Sequence, residues 1–148
     1  MKKFRFSLDK VLEYKRQVLG LMKSELSRLQ LKLRETAKKI EDINREFEAN
    51  SKSLTAKMRN GMPSHTIAVY KDYLGRLNRR AISLAEERKK IANAMAAKQK
   101  EIVKMNSDIS GLERLRDKQL GEYHAEEIKE QELFIEEFVS HTANRRAV

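Results

Sequence analysis

Apolar residues recur along this chain in alternating steps of four and three, and the pattern is interrupted once. From the N-terminal side the positions are Leu8, Leu12, Lys15, Leu19, Met22, Leu26, Leu29, Leu33, Thr36, Ile40, Ile43, Phe47, Asn50 and Leu54, eleven of the fourteen apolar. A step averaging about 3.5 residues keeps one stripe facing a neighbour only if the helix supercoils left-handed. A second run reads Ile67, Tyr70, Leu74, Leu77, Ala81, Leu84, Arg88, Ile91, Met95, Lys98, Ile102, Met105, Ile109 and Leu112, with twelve of fourteen apolar when Tyr70 and Ala81 are counted. Between the runs stands Arg59-Asn60-Gly61-Met62-Pro63-Ser64. Asn60 and Gly61 accept left-handed backbone, and Pro63 has no N–H with which to continue a helix. A short connection between long helices makes them antiparallel neighbours. The pattern therefore predicts an all-α fold, a long antiparallel two-helix coiled-coil hairpin in one domain over residues 1–148. Helix 1 is expected at about 7–58, the turn at 59–64, helix 2 at about 65–140 and a tail at 141–148.

The start of helix 1 carries its own signals. Ser7 suits a capping position, Asp9 places a negative charge in the first turn, and Phe6 and Val11 are spaced as a hydrophobic staple. With the turn near Gly61, Leu8 lies opposite roughly residue 114, so helix 2 is the longer and overhangs. Beyond Leu112 the seam positions fall on Arg116 and Gln119, and the register is expected to move to Leu115, Leu120, Tyr123, Ile128, Phe134, Ile135 and Phe138. A two-stranded coiled coil buries one narrow stripe per helix, so apolar residues off that stripe are informative. Val11, Tyr14, Val18 and Leu21 form such a second stripe near the N-terminus, Val69 and Tyr73 a smaller one near the turn, and Phe134, Ile135, Phe138 and Val139 another on the overhang. Two accounts fit them: a widened seam or a returning C-terminal tail that covers them, or docking surfaces for other proteins.

Composition narrows the chemistry. Charged residues make up 36% of the chain and aromatics 6%, too little bulky apolar matter for a broad globular core. Cysteine is absent, which removes disulfides and thiolate metal sites. Lys10, Lys15 and Arg16 interrupt any secretory signal, and no stretch approaches the ~20 apolar residues of a membrane span. A cytoplasmic protein is expected. No phosphate-binding glycine loop, metal-binding His pair or acid–base pair appears, so the chain is expected to have no catalytic residues, no cofactor and no metal, and not to be an enzyme. The set His124, Glu126, Glu127 and Glu130 lacks a second His and reads as helical surface charge. Net charge is +10, distributed as +8 over residues 1–60, +6 over 61–118 and −4 over 119–148. Lys and Arg are interleaved with Glu around the helices and no base-reading motif accompanies them, which makes nucleic acid the lesser alternative, together with a generic coiled-coil tether.

The stretch Phe4-Arg5-Phe6-Ser7-Leu8-Asp9-Lys10-Val11-Leu12-Glu13-Tyr14-Lys15 resembles the N-terminal signature F-x-F-x-L-x-x-V-L of the FliJ family, soluble components of the bacterial flagellar type III export apparatus. Asn60-Gly61 followed by Tyr70-Lys71-Asp72-Tyr73-Leu74 is similar to the family's midpoint. Near the end, Glu130, Gln131 and Glu136 match its E-Q-K-x-L-D-E tendency, whereas Glu132, Phe134 and Ile135 depart from it. The resemblance implies a stalk-like coiled coil that inserts into the ring of the export ATPase FliI and promotes its assembly. It further implies contact with the export-gate membrane protein FlhA, binding of export chaperones, and peripheral association with the inner face of the cell membrane. On that footing Val11, Tyr14, Val18 and Leu21 are expected to face the ATPase ring, and the family's gate contacts fall on Ile43, Tyr73 and Leu77. Ile43 and Leu77 are also seam residues, so only part of each is expected at the surface.

Overall fold

The break between the runs is a helix-ending turn built on one glycine. In a computed structural model that describes residues 2–146, Gly61 has φ +85°, backbone that costs an L side chain strain. Its N–H donates to the Met58 carbonyl at 3.3 Å, closing the last turn of α1 (Asp9–Arg59) with a left-handed glycine just past the helix end. Two residues on, the Pro63 carbonyl accepts from Thr66 and Ile67 at 3.1 and 3.2 Å and opens α2 (Ser64–Arg146). Pro63 rather than Ser64 thus occupies the capping position, where a missing N–H costs nothing. At the other end, the Leu8 carbonyl accepts the first helical bond from Leu12 at 2.9 Å, and Asp9 N–H donates to Phe6 at 3.1 Å. Leu8, not Ser7, is the capping residue there.

The helices contain 51 and 83 residues, and no strand occurs among the described residues. They pack against each other as a helical hairpin. The chain divides into two compact units, one of residues up to Gly20 with those from Val103 on, the other Leu21–Ile102. In the second unit the core is Ile43, Leu77 and Leu84, with Ile40, Tyr73 and Ala81 packed on it. Glu25 faces Lys98, Glu46 faces Tyr73 and Lys57 faces Tyr70, so position rises on α1 as it falls on α2. In the first unit Lys15 pairs with Asp108 at 3.3 Å and Arg16 with Glu113 at 2.9 Å. Leu12 is fully buried and Ile109 nearly so.

Nearly every seam position is buried or half-buried; Phe47 and Arg88 are the exposed ones. Polar seam residues satisfy themselves locally. Thr36, buried, donates its hydroxyl to the Lys32 carbonyl at 2.8 Å, and Asn50 donates to Glu46 in the same way. Beyond Leu112 the expected change of register is only partial. Arg116 and Gln119 stay half-buried on the original repeat, and of the expected new set Leu120 and Tyr123 are half-buried while Leu115 and Ile128 are exposed. The reason lies in residues 2–8, which continue along α2 ahead of α1. Phe6 is buried, the Phe4 ring stands 5.5 Å from that of Tyr123, and the Tyr123 hydroxyl donates to the Lys2 carbonyl at 2.7 Å. Helix α2 also continues to Arg146, past the expected end near residue 140.

Candidate functional site

A chain of two helices offers surfaces rather than a cleft, so the site question becomes which apolar side chains the fold leaves uncovered. On α1 in the first unit, Val11 and Tyr14 are exposed, Tyr14 at 66%, and Val18 is half-buried. Leu21, the first residue of the second unit, is 65% exposed. Helical geometry makes the cause plain: with Leu8, Leu12, Lys15 and Leu19 turned to α2, residues one place before or after them lie on the flank. Val18, next to Leu19, is the member of the stripe that retains cover. Val11 does not share the burial of its expected staple partner Phe6, which is taken up by the seam instead.

The residues placed at the gate by resemblance behave differently. Ile43 and Leu77 are 8% and 7% exposed and belong to the core of the second unit. Tyr73 is half-buried against them; its hydroxyl donates to the Glu46 carboxylate and the Arg76 guanidinium lies 5.7 Å from its ring centre. At this level the surface carries Tyr73, Glu46 and Arg76, with Ile43 and Leu77 in the core against which the ring packs. Val69 is exposed, and Tyr70 is half-buried with Lys57 bonded to its hydroxyl and stacked on its ring. That hydrogen bond from Lys57 holds the Tyr70 phenol below its ordinary pKa.

Electrostatics follow the same two-helix logic. Lys98 occupies a seam position, yet its ammonium reaches the rim, 2.7 Å from Glu25 and 2.9 Å from Glu101. The hydrogen bond from Lys98 lowers the Glu25 pKa, and its bonds to Glu25 and Glu101 raise that of Lys98. Arg45–Glu41 and Lys52–Glu48 are pairs one helical turn apart, at 2.6 and 3.2 Å. Together with Lys15 and Arg16 these pairs place five of the 32 basic side chains beside carboxylates. His124 Nδ1 lies 3.6 Å from Glu127, and among the described residues no group of His, Asp and Glu is arranged to hold a metal ion. Among the same residues, no helix is long and apolar enough to cross a membrane.

Sequence reasoning missed the segment that leads into α1. The alternation of Phe4, Phe6 and Leu8 is a period of two, the mark of an extended strand-like segment with one face against a surface. That signal was available in the same motif that carries the family resemblance.

The family model described as "Flagellar FliJ protein" matches residues 4–147. No curated protein and no solved structure matches the chain.

Proposed function

The chain belongs to the FliJ family, components of the flagellar export apparatus, and from that premise we propose that it acts without chemistry of its own, as a bridge between the export ATPase and the export gate. The observation that carries the reading is the apolar flank of α1 in the first unit, exposed at Val11 and Tyr14 and half-buried at Val18; Leu21, in the second unit, is exposed as well. Isolated exposed apolar residues need no explanation, but an aromatic and two aliphatics at helical spacing within one unit suit burial in a protein interface. This flank is the surface that enters the FliI ring and promotes its assembly. Tyr73, held by Ile43 and Leu77 beneath it, is the contact for FlhA, and export chaperones are further partners. The protein reaches the inner face of the membrane through those contacts. The test is ATPase stimulation of purified FliI and co-purification with the cytoplasmic domain of FlhA. Val11→Ser with Tyr14→Ser should abolish stimulation and leave FlhA capture intact; full stimulation by that variant overturns the assignment.

A further inference from the structure

Helix α2 carries its seam past the point where the chain itself fills it. Arg116, Gln119 and Tyr123 are half-buried, and the N-terminal segment lies alongside as far as Lys2, whose carbonyl accepts from the Tyr123 hydroxyl; Glu127, the next half-buried residue on this face, pairs with His124 on its own helix. Seven residues beyond Glu127, on the same face of the helix, Phe134 is 70% exposed. Every residue from Gln131 to Ser140 is exposed. A groove of about 500 Å³ begins at Tyr123, where the cover ends, and runs over Glu127, Glu130 and Gln131 to Phe134 and Ile135. At about 100° per residue, Phe134, Ile135, Phe138 and Val139 share one face of α2. Glu132 and Glu136 border it on one side, Glu130 and Glu137 on the other. Residues 119–148 hold seven acidic and three basic side chains, against the excess of base elsewhere.

We propose that this stretch of α2, from Tyr123 to Val139, is a docking face for a basic amphipathic helix of another protein, which lies along α2 as a continuation of the intramolecular seam. The apolar face continues an interface the fold already uses, so a helix seated there meets Phe134 and Phe138 as α1 meets Leu112 and Ile109. The acidic borders select Lys and Arg at the flanking positions of the incoming helix, as flanking charges select partners in coiled coils. A second copy of this chain docking through the same face would bring the same acidic borders to the contact and be repelled. The face is separate from Val11 and Tyr14, and the proposal does not rest on the bridging role given to them.

The test uses the full chain and labelled synthetic helices of about three heptads, the length scale of a short coiled coil. One has a leucine seam flanked by lysines, one the same seam flanked by glutamates, and one the lysines with a serine seam. Fluorescence anisotropy should show binding of the first alone. Phe134→Ser with Phe138→Ser should weaken it by on the order of tenfold or more, with helicity by circular dichroism unchanged. Val103→Ser, an exposed apolar site elsewhere on α2, should leave it as it was. Glu132→Lys with Glu136→Lys should exchange the preference to the glutamate-flanked helix, a gain that loss of folding cannot imitate. Binding of the serine-seam helix, or full binding by the phenylalanine double variant, would reduce the face to general charge attraction and overturn the proposal. Sedimentation equilibrium supplies the remaining arm: a monomer supports it, and a dimer abolished by the phenylalanine substitutions would make a second copy the occupant and overturn it.

Discussion

Lys98 shows how a single residue can break a pattern and still serve it. Its stem lies in the seam while its ammonium bonds Glu25 across the helices and Glu101 along its own. Because the bond from Lys98 lowers the Glu25 pKa, Glu25 contributes stability above the ordinary carboxylate range and loses it as pH falls through its depressed value. Lys98, with its pKa raised by Glu25 and then Glu101, contributes fully below the ordinary lysine range and loses that as pH rises through its raised value. The melting temperature of Glu25→Gln should therefore fall below that of the parent chain on the plateau between those ranges, by a small amount that shrinks with added salt. The two should converge in acid; a difference that grows in acid would contradict the pairing. Leu12 gives the opposite kind of residue. It is fully buried, so Leu12→Ala should cost about 2–5 kcal/mol in denaturant unfolding. Leu12 was legible as a buried residue because periodicity alone assigns its face. The Lys98–Glu25 bond was not, because it depends on which residue of α1 stands across from Lys98 to within one side chain.

At the scale of elements, the two helices and their turn follow from local rules. Gly61 at φ +85° has open space where a Cβ would stand, so the cost of Gly61→Ala is conformational. It should destabilise the hairpin by about 1–2 kcal/mol, the left-handed penalty of an L residue, and be read as a lower melting temperature. The seam makes a second demand. Leu29, half-buried on α1, should tolerate Asp at a cost of a few kcal/mol, while Lys38→Ala, at an exposed position, should leave the melt within about 0.5 kcal/mol. Equal thermal shifts would mean the wrong face has been assigned to α1. What sequence misplaced lies where local rules compete with packing. Arg116 and Gln119 looked like a lost register because they are polar. Their seam is instead lined by a segment in which Phe4 and Phe6 supply the apolar surface, and the long stems of Arg and Gln can pack beneath it. Neither Ser7 nor Ser64 became the capping residue, because Leu8 and Pro63 present the accepting carbonyls one position away.

At the scale of the molecule, function has to be carried by side chains that folding does not consume, and the candidate surfaces differ in that respect. Val11 and Tyr14 are exposed, so their removal should leave unfolding within about 0.5 kcal/mol of the parent. Tyr73 is partly consumed: it packs on the core of its unit and bonds Glu46. Ile43 and Leu77 are wholly consumed, which is why periodicity could place them in the seam while only resemblance suggested a partner for them. Substituting either aliphatic residue would confound binding with stability. Tyr73→Phe is the cleaner probe, since it keeps the ring on Ile43 and Leu77 and removes the hydroxyl. If Tyr73 faces the gate through its ring, Tyr73→Phe should retain capture of the FlhA domain and Tyr73→Ala should lose it by on the order of tenfold, with FliI stimulation unchanged in both. Val11→Ser with Tyr14→Ser should give the reverse, lost stimulation with retained capture and an unaltered melt. Two variants that each abolish both activities would show that the surfaces are not separable and that one partner reads the other's contact. Loss of both activities together with a lowered melting temperature in Tyr73→Ala alone would place Tyr73 in the core and move the gate contact elsewhere.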